Sequence, residues 1–567
     1  METATELPHG WWRWLLAATA IYAFILLTTR PADYVDSMNY AIHIVEQYQG
    51  TAPAAGNPMW DFGHAAWRPL GYAVWSTLHG TFVAAWPSDV VLSAGLALML
   101  LSLAGGIASV ILVFLLATRI SGKAWIGALT ACGYAATDAV VNYSATGTAY
   151  MMGASFQLAA LYVLHRSIQT GKFTTARAIG AGALMGASVC IWFPNSLSVL
   201  GLFCFGVIWR ETHAPVDYAA RVRFLIKSAV GAAGILVLVY APVMAAGGIT
   251  SIDATRQWIT KSRYGILPSI GYVRMVAGIV RSFFFLGQEG NTWKRILLGA
   301  HNARGVLEAF RSGIWKLIVV YSVLGLLVLR LWRTPRWRRL LICLAVGALP
   351  VLYFAAFLFD PAPPERYLPA FPLLFFAFAC IMGFDTPAWF GRVMLPAFFV
   401  LMLVTNCNGM WRFTGHQQYE NAAARLEALN PHLTPRDAIL VVSFADDAYR
   451  FLSARPFDPL SRYRSLAYVV TGSGNLGLRT WQQHLAARVL GTWNGGGRVW
   501  MSLRLWARAP EPEWRWVEGD DPRIHWTDLP SFFGALDCGE PIGGKDGFAE
   551  LLPSSKNVRI FQELLHE

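Results

Sequence analysis

Apolar residues run through this chain in long blocks separated by short polar gaps. The blocks fall at 11–29, 89–118, 124–142, 147–165, 178–193, 194–209, 228–247, 314–332, 340–359, 367–384 and 393–408. Most approach the roughly 20 residues a helix needs to cross a bilayer, which predicts about eleven transmembrane helices. The pair 178–193 and 194–209 is short and is broken by Pro194, so it reads either as two spans or as a re-entrant hairpin. The stretch Pro69–Pro87 is apolar too, but its Trp75 and Trp86 suit a helix lying at the interface. After residue 408 the long blocks stop. AILVVSF (438–444), SLAYVV (465–470) and RVWMSLRLW (498–506) read as strands, with helical patterns at Tyr419–Leu429, Asp446–Leu452 and Leu478–Leu490. The predicted fold class is a polytopic α-helical membrane protein with a C-terminal extracytoplasmic α/β domain.

Charge sets the orientation. Only 14% of the 567 residues are charged, against about a quarter in soluble domains. The net charge is +12, and basic residues concentrate in alternate gaps: Arg119 and Lys123; Arg166, Lys172 and Arg177; Arg210, Arg221, Arg223 and Lys227; Arg330 to Arg339; Arg392. With Arg13 they fall on the side of the N-terminus, which is therefore predicted to be cytoplasmic. A span at Pro69–Pro87 would break that alternation. The run Trp14–Thr28 is followed by no small-x-small cleavage site and reads as an uncleaved first span. The predicted division is then 1–408, a transmembrane region with outer loop 30–88 and outer segment 248–313, and 409–567, an outer domain. The basic gaps account for the positive charge, and no aromatic-basic nucleic-acid module is present. Five of the seven cysteines lie inside apolar blocks; Cys407 and Cys538 lie outside or at a border.

Candidate chemistry gathers in the first outer loop. Asp33 and Asp36 follow the first span, and Glu46, Asp61, His64 and Arg68 lie further along. A carboxylate at a membrane surface can take a proton from an attacking hydroxyl or amine. An arginine can hold a departing phosphate with two hydrogen bonds. His64, four residues before Arg68, would share its face on a helix. Plainer roles exist: an acid here can cap the helix beginning near Ser37, and Arg68 can pair with lipid phosphate. In Asp360–Pro372, Glu365 and Arg366 precede Tyr367, and prolines fix where Arg366 points. The outer segment carries Arg256, Arg263 and Tyr264 against the charge bias, so an anionic headgroup is a candidate ligand. The outer turn from Asn142 to Tyr150 is rich in hydroxyls, as a sugar-contacting surface can be. Gly472, Gly474 and Gly477 spell a dinucleotide-like GxGxxG, but the acidic residue expected about 20 positions on is missing, and a tight turn fits better.

Together these features resemble the GT-C superfamily of polyprenyl-phosphate-sugar glycosyltransferases, nearest to lipid A aminoarabinose transferases and protein O-mannosyltransferases. Asp36-Ser37-Met38-Asn39-Tyr40-Ala41 is similar to the family's Asp-Glu-x-x-Tyr-Ala, and Arg68-Pro69-Leu70-Gly71-Tyr72 to its Lys-Pro-Pro-Leu-x-Tyr. The resemblance implies a GT-C-like fold over 1–408 and an inverting glycosyltransferase of a bacterial inner membrane. Asp36 would be the base, with Asp33 as second choice. Arg68, Arg366 and His64 would meet the donor phosphate, and Tyr40, Glu365, Tyr367, Arg256, Arg263 and Tyr264 would contact substrate. The implied partners are a polyprenyl-phosphate-linked sugar, a glycan, lipid or protein acceptor, and membrane lipids, with no nucleic acid. Ser37 stands where the family carries a second acid, so a divalent metal is left open and no other cofactor is called for. Two other readings compete. An O-antigen ligase or polymerase would rely on the outer arginines instead of Asp36. A transporter or lipid flippase would show internal repeats and intramembrane charges. No ATP-binding GxxxxGK[ST] motif is present.

Overall fold

The computed structural model describes residues 7–29, 35–50, 57–85, 90–144, 146–210, 217–261, 271–286, 313–359, 361, 363–384, 389–413, 424–442, 467–470, 481–506, 528–544 and 546–566. The chain divides into two compact units, Met1–Phe82 with Ala94–Phe413, and Val83–Ser93 with Thr414–Glu567. Asp33, Arg263, Tyr264 and the three glycines of the GxGxxG stretch lie outside the described residues, as does the predicted helix Asp446–Leu452.

The elements described in the first unit are helical. Its helices are α1 (Trp11–Thr28), α2 (Val35–Gln49), α3 (Trp67–Thr77), α4 (His79–Ala85), α5 (Val90–Ser121), α6 (Ala124–Ala135), α7 (Asp138–Ser144), α8 (Tyr150–Thr170), α9 (Thr175–Ile191), α10 (Asn195–Ile208), α11 (Tyr218–Ala246), α12 (Ile252–Lys261), α13 (Gly271–Phe283), α14 (Trp315–Arg333), α15 (Pro335–Tyr353), α16 (Phe371–Phe384) and α17 (Leu395–Phe413). Among the described residues, seven helical segments are long and apolar enough to cross a membrane: Trp11–Thr28, Ser93–Ser121, Tyr218–Ala246, Trp315–Arg333, Trp337–Leu358, Pro364–Phe384 and Phe390–Met410. The bent pair α6–α7 makes an eighth if it counts as one span. The three remaining predicted segments are also helices. α8 has 21 residues but carries Gln157, His165 and Arg166; α9 and α10 are apolar but only 17 and 14 residues long. The chain is a multi-pass membrane protein, and its surface matches. Leu27, Val237, Leu238 and Val393 are each more than 60% exposed, as side chains facing lipid are.

Two breaks shape the region around the site. The predicted span 124–142 is continuous in apolarity, yet the chain bends by 72° between α6 and α7. Asn406 of α17 takes up one freed carbonyl of the break and ties it to the end of α13. Its Nδ2 donates to the carbonyls of Ala136 and Phe283 at 2.7 Å each, and its Oδ1 accepts from Phe285 N at 2.9 Å. Such internal satisfaction is what a helix break needs away from water. The second break, at Trp192–Pro194 between α9 and α10, receives the first outer loop.

In the second unit a four-stranded sheet has the order β2-β1-β3-β4, with β1 (Ala438–Val441), β2 (Ala467–Val469), β3 (Val499–Ser502) and β4 (Phe548–Leu551). β1 is parallel to both β2 and β3, with Ile439 opposite Ala467 and Trp500; β4 runs antiparallel, with Val499 opposite Leu551. The central strand is buried at all four positions, as its unbroken apolar run requires. α18 (Trp481–Asn494) links β2 to β3, and the C-terminal helix Ser555–His566 sets Phe561 against Trp493 at 5.7 Å. Predicted strand 498–506 ends early in a 3-10 turn at Leu503–Trp506, and residues 424–429 are helical as predicted. All seven cysteines, Cys407 and Cys538 included, are free thiols.

Candidate active site

The loop at 57–68 is fixed by its backbone. Asn57 begins it: its side chain accepts from Met59 N at 2.9 Å and donates to Gln47 of α2 at 2.8 Å. Ala66 N then donates to Cys190 O, and Phe193 N to Gly63 O, both at 2.9 Å, so the loop pairs with the chain at the α9–α10 break. The Tyr240 hydroxyl of α11 donates to Phe62 O at 3.1 Å, and Trp258 Nε1 of α12 to Trp60 O at 2.6 Å. Trp67, fully buried, donates to Gly147 O at 3.2 Å. Gly147 has φ of 79°, a left-handed conformation that favours glycine. Hydrogen bonds to α2, the α9–α10 break, α11, α12 and the α7–α8 turn thus hold 57–68 in one shape.

That shape presents His64 and Arg68. His64 Nδ1 lies 3.0 Å from Asp61 Oδ2, and its Nε2 faces the Tyr40 hydroxyl at 3.4 Å. Arg68 lies 4.6 Å over the Tyr40 ring and 3.6 Å from Asp61, and donates to Pro58 O. It is 8% exposed, and its buried Nε–H has no partner among the described residues. A buried donor without an acceptor asks for a ligand or water. Below it, burial first and then the Arg68 charge push the His43 imidazole down to about 3, against the pull of Asp61.

Asp36, in the first turn of α2, is half-buried and accepts from the Tyr150 hydroxyl at 2.9 Å. Tyr150, at the start of α8, packs edge-on against Tyr143 at 4.9 Å, and its ring centre is 6.4 Å from that of His64. Tyr143, on α7, donates to Glu365 Oε2. Glu365 in turn sits 3.4 Å from Arg366, whose guanidinium lies 4.0 Å over the Phe359 ring. Residues from the first outer loop, the α7–α8 turn and the segment 359–367 are therefore joined in one cluster of hydrogen bonds, ion pairs and ring contacts.

Asp36, Tyr40, His64, Arg68, Glu365 and Arg366 all belong to this cluster. Tyr367 is buried beside it, and its hydroxyl is bonded to backbone oxygens of Pro361 at 2.7 Å and Met275 at 3.3 Å, which ties the segment to α13. Arg256 is exposed on α12, two residues before the docked Trp258. Tyr143, Tyr150 and Asp61 complete the cluster without having been singled out as site residues; the hydroxyl-rich turn was the only signal for the tyrosines. Ser37 is buried and its hydroxyl has no partner among the described residues. Among the described residues no three His, Cys, Asp or Glu side chains converge as a metal centre needs, so no metal ligand is assigned.

Beside the loop lies an open groove of about 630 Å³ bounded by α9, α10 and α11. Its walls are almost wholly apolar and include Met185, Phe193, Ala233 and Val237, with Phe62 and Tyr240 where the loop meets it.

No family model matches the sequence, and no curated protein matches it. Solved structures show likeness along nearly the whole chain. ArnT from Cupriavidus metallidurans, bound to undecaprenyl phosphate, is 12% identical over 96% of this chain and 97% of that one, with a TM-score of 0.48. The oligosaccharyltransferase of Archaeoglobus fulgidus in its apo form is 12% identical over 96% and 75%, with a TM-score of 0.48. AglB from the same organism, in complex with an inhibitory peptide and a dolichol-phosphate, is 12% identical over 96% and 74%, with a TM-score of 0.46. At this distance the likeness assigns no residue and no activity.

Proposed function

We propose that this protein is a GT-C-type glycosyltransferase that moves a sugar from a polyprenyl-phosphate donor to an acceptor on the outer side of a bacterial inner membrane, with inversion. The observation that carries the reading is the cluster itself. It joins Asp36 and Arg68, which resemble family motifs, to Arg366, nearly 300 positions further along. In the proposed reaction Asp36 takes the proton of the acceptor's hydroxyl or amine as that atom attacks the anomeric carbon. The bond from that carbon to the phosphate oxygen breaks, and the phosphate leaves with the electron pair. Arg68 and Arg366 bind it and offset its growing charge. His64 orients Asp61 and Tyr40 around Arg68. The orphaned Nε–H of Arg68 supports an anion at this place, since a phosphate oxygen would satisfy it. The apolar groove next to Phe62 supports a lipid tail lying between helices with its head at the loop. Residues 1–408 would hold the chemistry, and the C-terminal domain would face the outer compartment beside the acceptor.

The test is donor binding. Purified protein carrying R68A together with R366A is expected to bind a polyprenyl-phosphate sugar at least tenfold more weakly than wild type, since each guanidinium–phosphate contact is a charge-assisted hydrogen bond. Undiminished binding would remove both arginines from the donor site. The outer-arginine reading makes the opposite prediction, with activity lost in R256A and kept in D36N.

A further inference from the structure

Asp61 stands between two 3-10 turns, Pro58–Trp60 and Phe62–His64, and the backbone is pinned on either side of it. Trp258 of α12 donates to the carbonyl of Trp60, and Tyr240 of α11 donates to that of Phe62. The side chain turns back over Gly63, where a Cβ would lie 3.3 Å from Asp61 Oδ2. That same oxygen faces His64 Nδ1 at 3.0 Å and Arg68 at 3.6 Å. A carboxylate is thus fixed beside the guanidinium that the proposed reaction assigns to the donor phosphate.

Arg68 has other groups that set its direction: it donates to Pro58 O and lies over the Tyr40 ring. At 3.6 Å its approach to Asp61 is longer than an ordinary N–H···O hydrogen bond, whereas the contact with His64 is within that range. Toward Arg68 the carboxylate therefore acts through its charge. Arg366, the second proposed phosphate ligand, has Glu365 at 3.4 Å in the same way. A cation with an acid at this spacing still attracts one negative charge, but a second negative charge meets the repulsion of the acid. A site can reject a competitor by placing an unfavourable charge where only the competitor extends. A sugar phosphodiester carries one negative charge; a sugar linked through a diphosphate carries two.

We infer that Asp61 is a specificity residue that admits a donor with a single phosphate and disfavours one with a diphosphate. The inference rests on the donor reading given above. The second phosphate would bring its charge toward a carboxylate carried on a backbone that two side-chain donors hold in place.

The test compares undecaprenyl phosphoglucose with undecaprenyl diphosphoglucose, which differ by one phosphate, as ligands of the purified full-length protein in nanodiscs. Dissociation constants are read from tryptophan fluorescence. Wild type is expected to bind the monophosphate about tenfold more tightly, and D61N to bring the two within about threefold by gaining affinity for the diphosphate. D61S, smaller and also neutral, is expected to behave alike, and D61E, which keeps the charge, to keep the preference. Equal weakening of both lipids in D61N and D61S would show that Asp61 only holds the loop, and overturns the inference. A ratio unchanged from wild type, or no preference in wild type, also overturns it. The donor reading fails separately, if R68A/R366A binds both lipids as wild type does. If R68A/R366A loses both lipids while D61N leaves the ratio unchanged, the donor reading stands and the role of Asp61 does not.

Discussion

At the scale of single residues the question is what aims a carboxylate at its target. The Tyr150 hydroxyl donates to Asp36 at 2.9 Å and fixes the direction of the side chain. Tyr150→Phe removes that bond. Transfer is then expected to slow several-fold with donor KM little changed, as measured by steady-state kinetics. An unchanged rate would detach Tyr150 from the proposed base. At the other end of the loop, Arg68→Lys keeps the charge but not the planar pair of donors, and an ammonium replaces a flat group stacked on Tyr40. Donor KM is expected to rise about tenfold with kcat changed less, as measured by steady-state transfer. Asp36 and Arg68, whose roles are proposed, stand in short stretches that a reading of the chain singles out. Tyr150 does not, because its meaning lies in a partner 114 positions away.

At the scale of elements, close approach of backbones decides whether the two halves of the cluster meet. A Cβ on Gly278 of α13 would lie 1.9 Å from Pro361 O and 2.6 Å from the Tyr367 hydroxyl. Neither the carbonyl nor the tied phenol can yield cheaply, so Gly278→Ala is expected to push 361–367 outward and displace Glu365 and Arg366. Transfer should fall more than tenfold and the Tm should drop, as overpacking costs about 1–3 kcal/mol. The docking of α2 carries a pH signature. His43 binds its proton in the fold only near pH 3, against about 6.5 when unfolded. A depressed histidine favours the fold above the unfolded value, so this contribution fades as pH falls below about 6.5. The slope is about 1.4 kcal/mol per pH unit. The Tm of wild type should therefore fall between pH 7 and pH 5 more steeply than that of His43→Gln. The long apolar helices were readable from their periodless apolar runs. The 72° bend was not, because the side chain that satisfies a carbonyl there, Asn406, comes from another helix. β4 and the last helix were missed because FAEL is a four-residue strand with a charge inside it.

At the scale of the whole molecule, the proposed site adjoins an open apolar groove at Phe62 and Tyr240. If that groove takes the donor's lipid tail, Ala233→Phe, on its wall, should slow transfer from long-chain polyprenyl donors and spare donors with a short isoprenoid. Equal effects on both would place the tail elsewhere. The central claim is that Asp36 is the base. It is tested most directly by the transfer rate of purified Asp36→Asn with a polyprenyl-phosphate sugar donor and saturating acceptor. The amide cannot accept the proton, so the rate is expected to fall by at least a hundredfold while donor binding is kept. A rate within a few-fold of wild type would contradict the account.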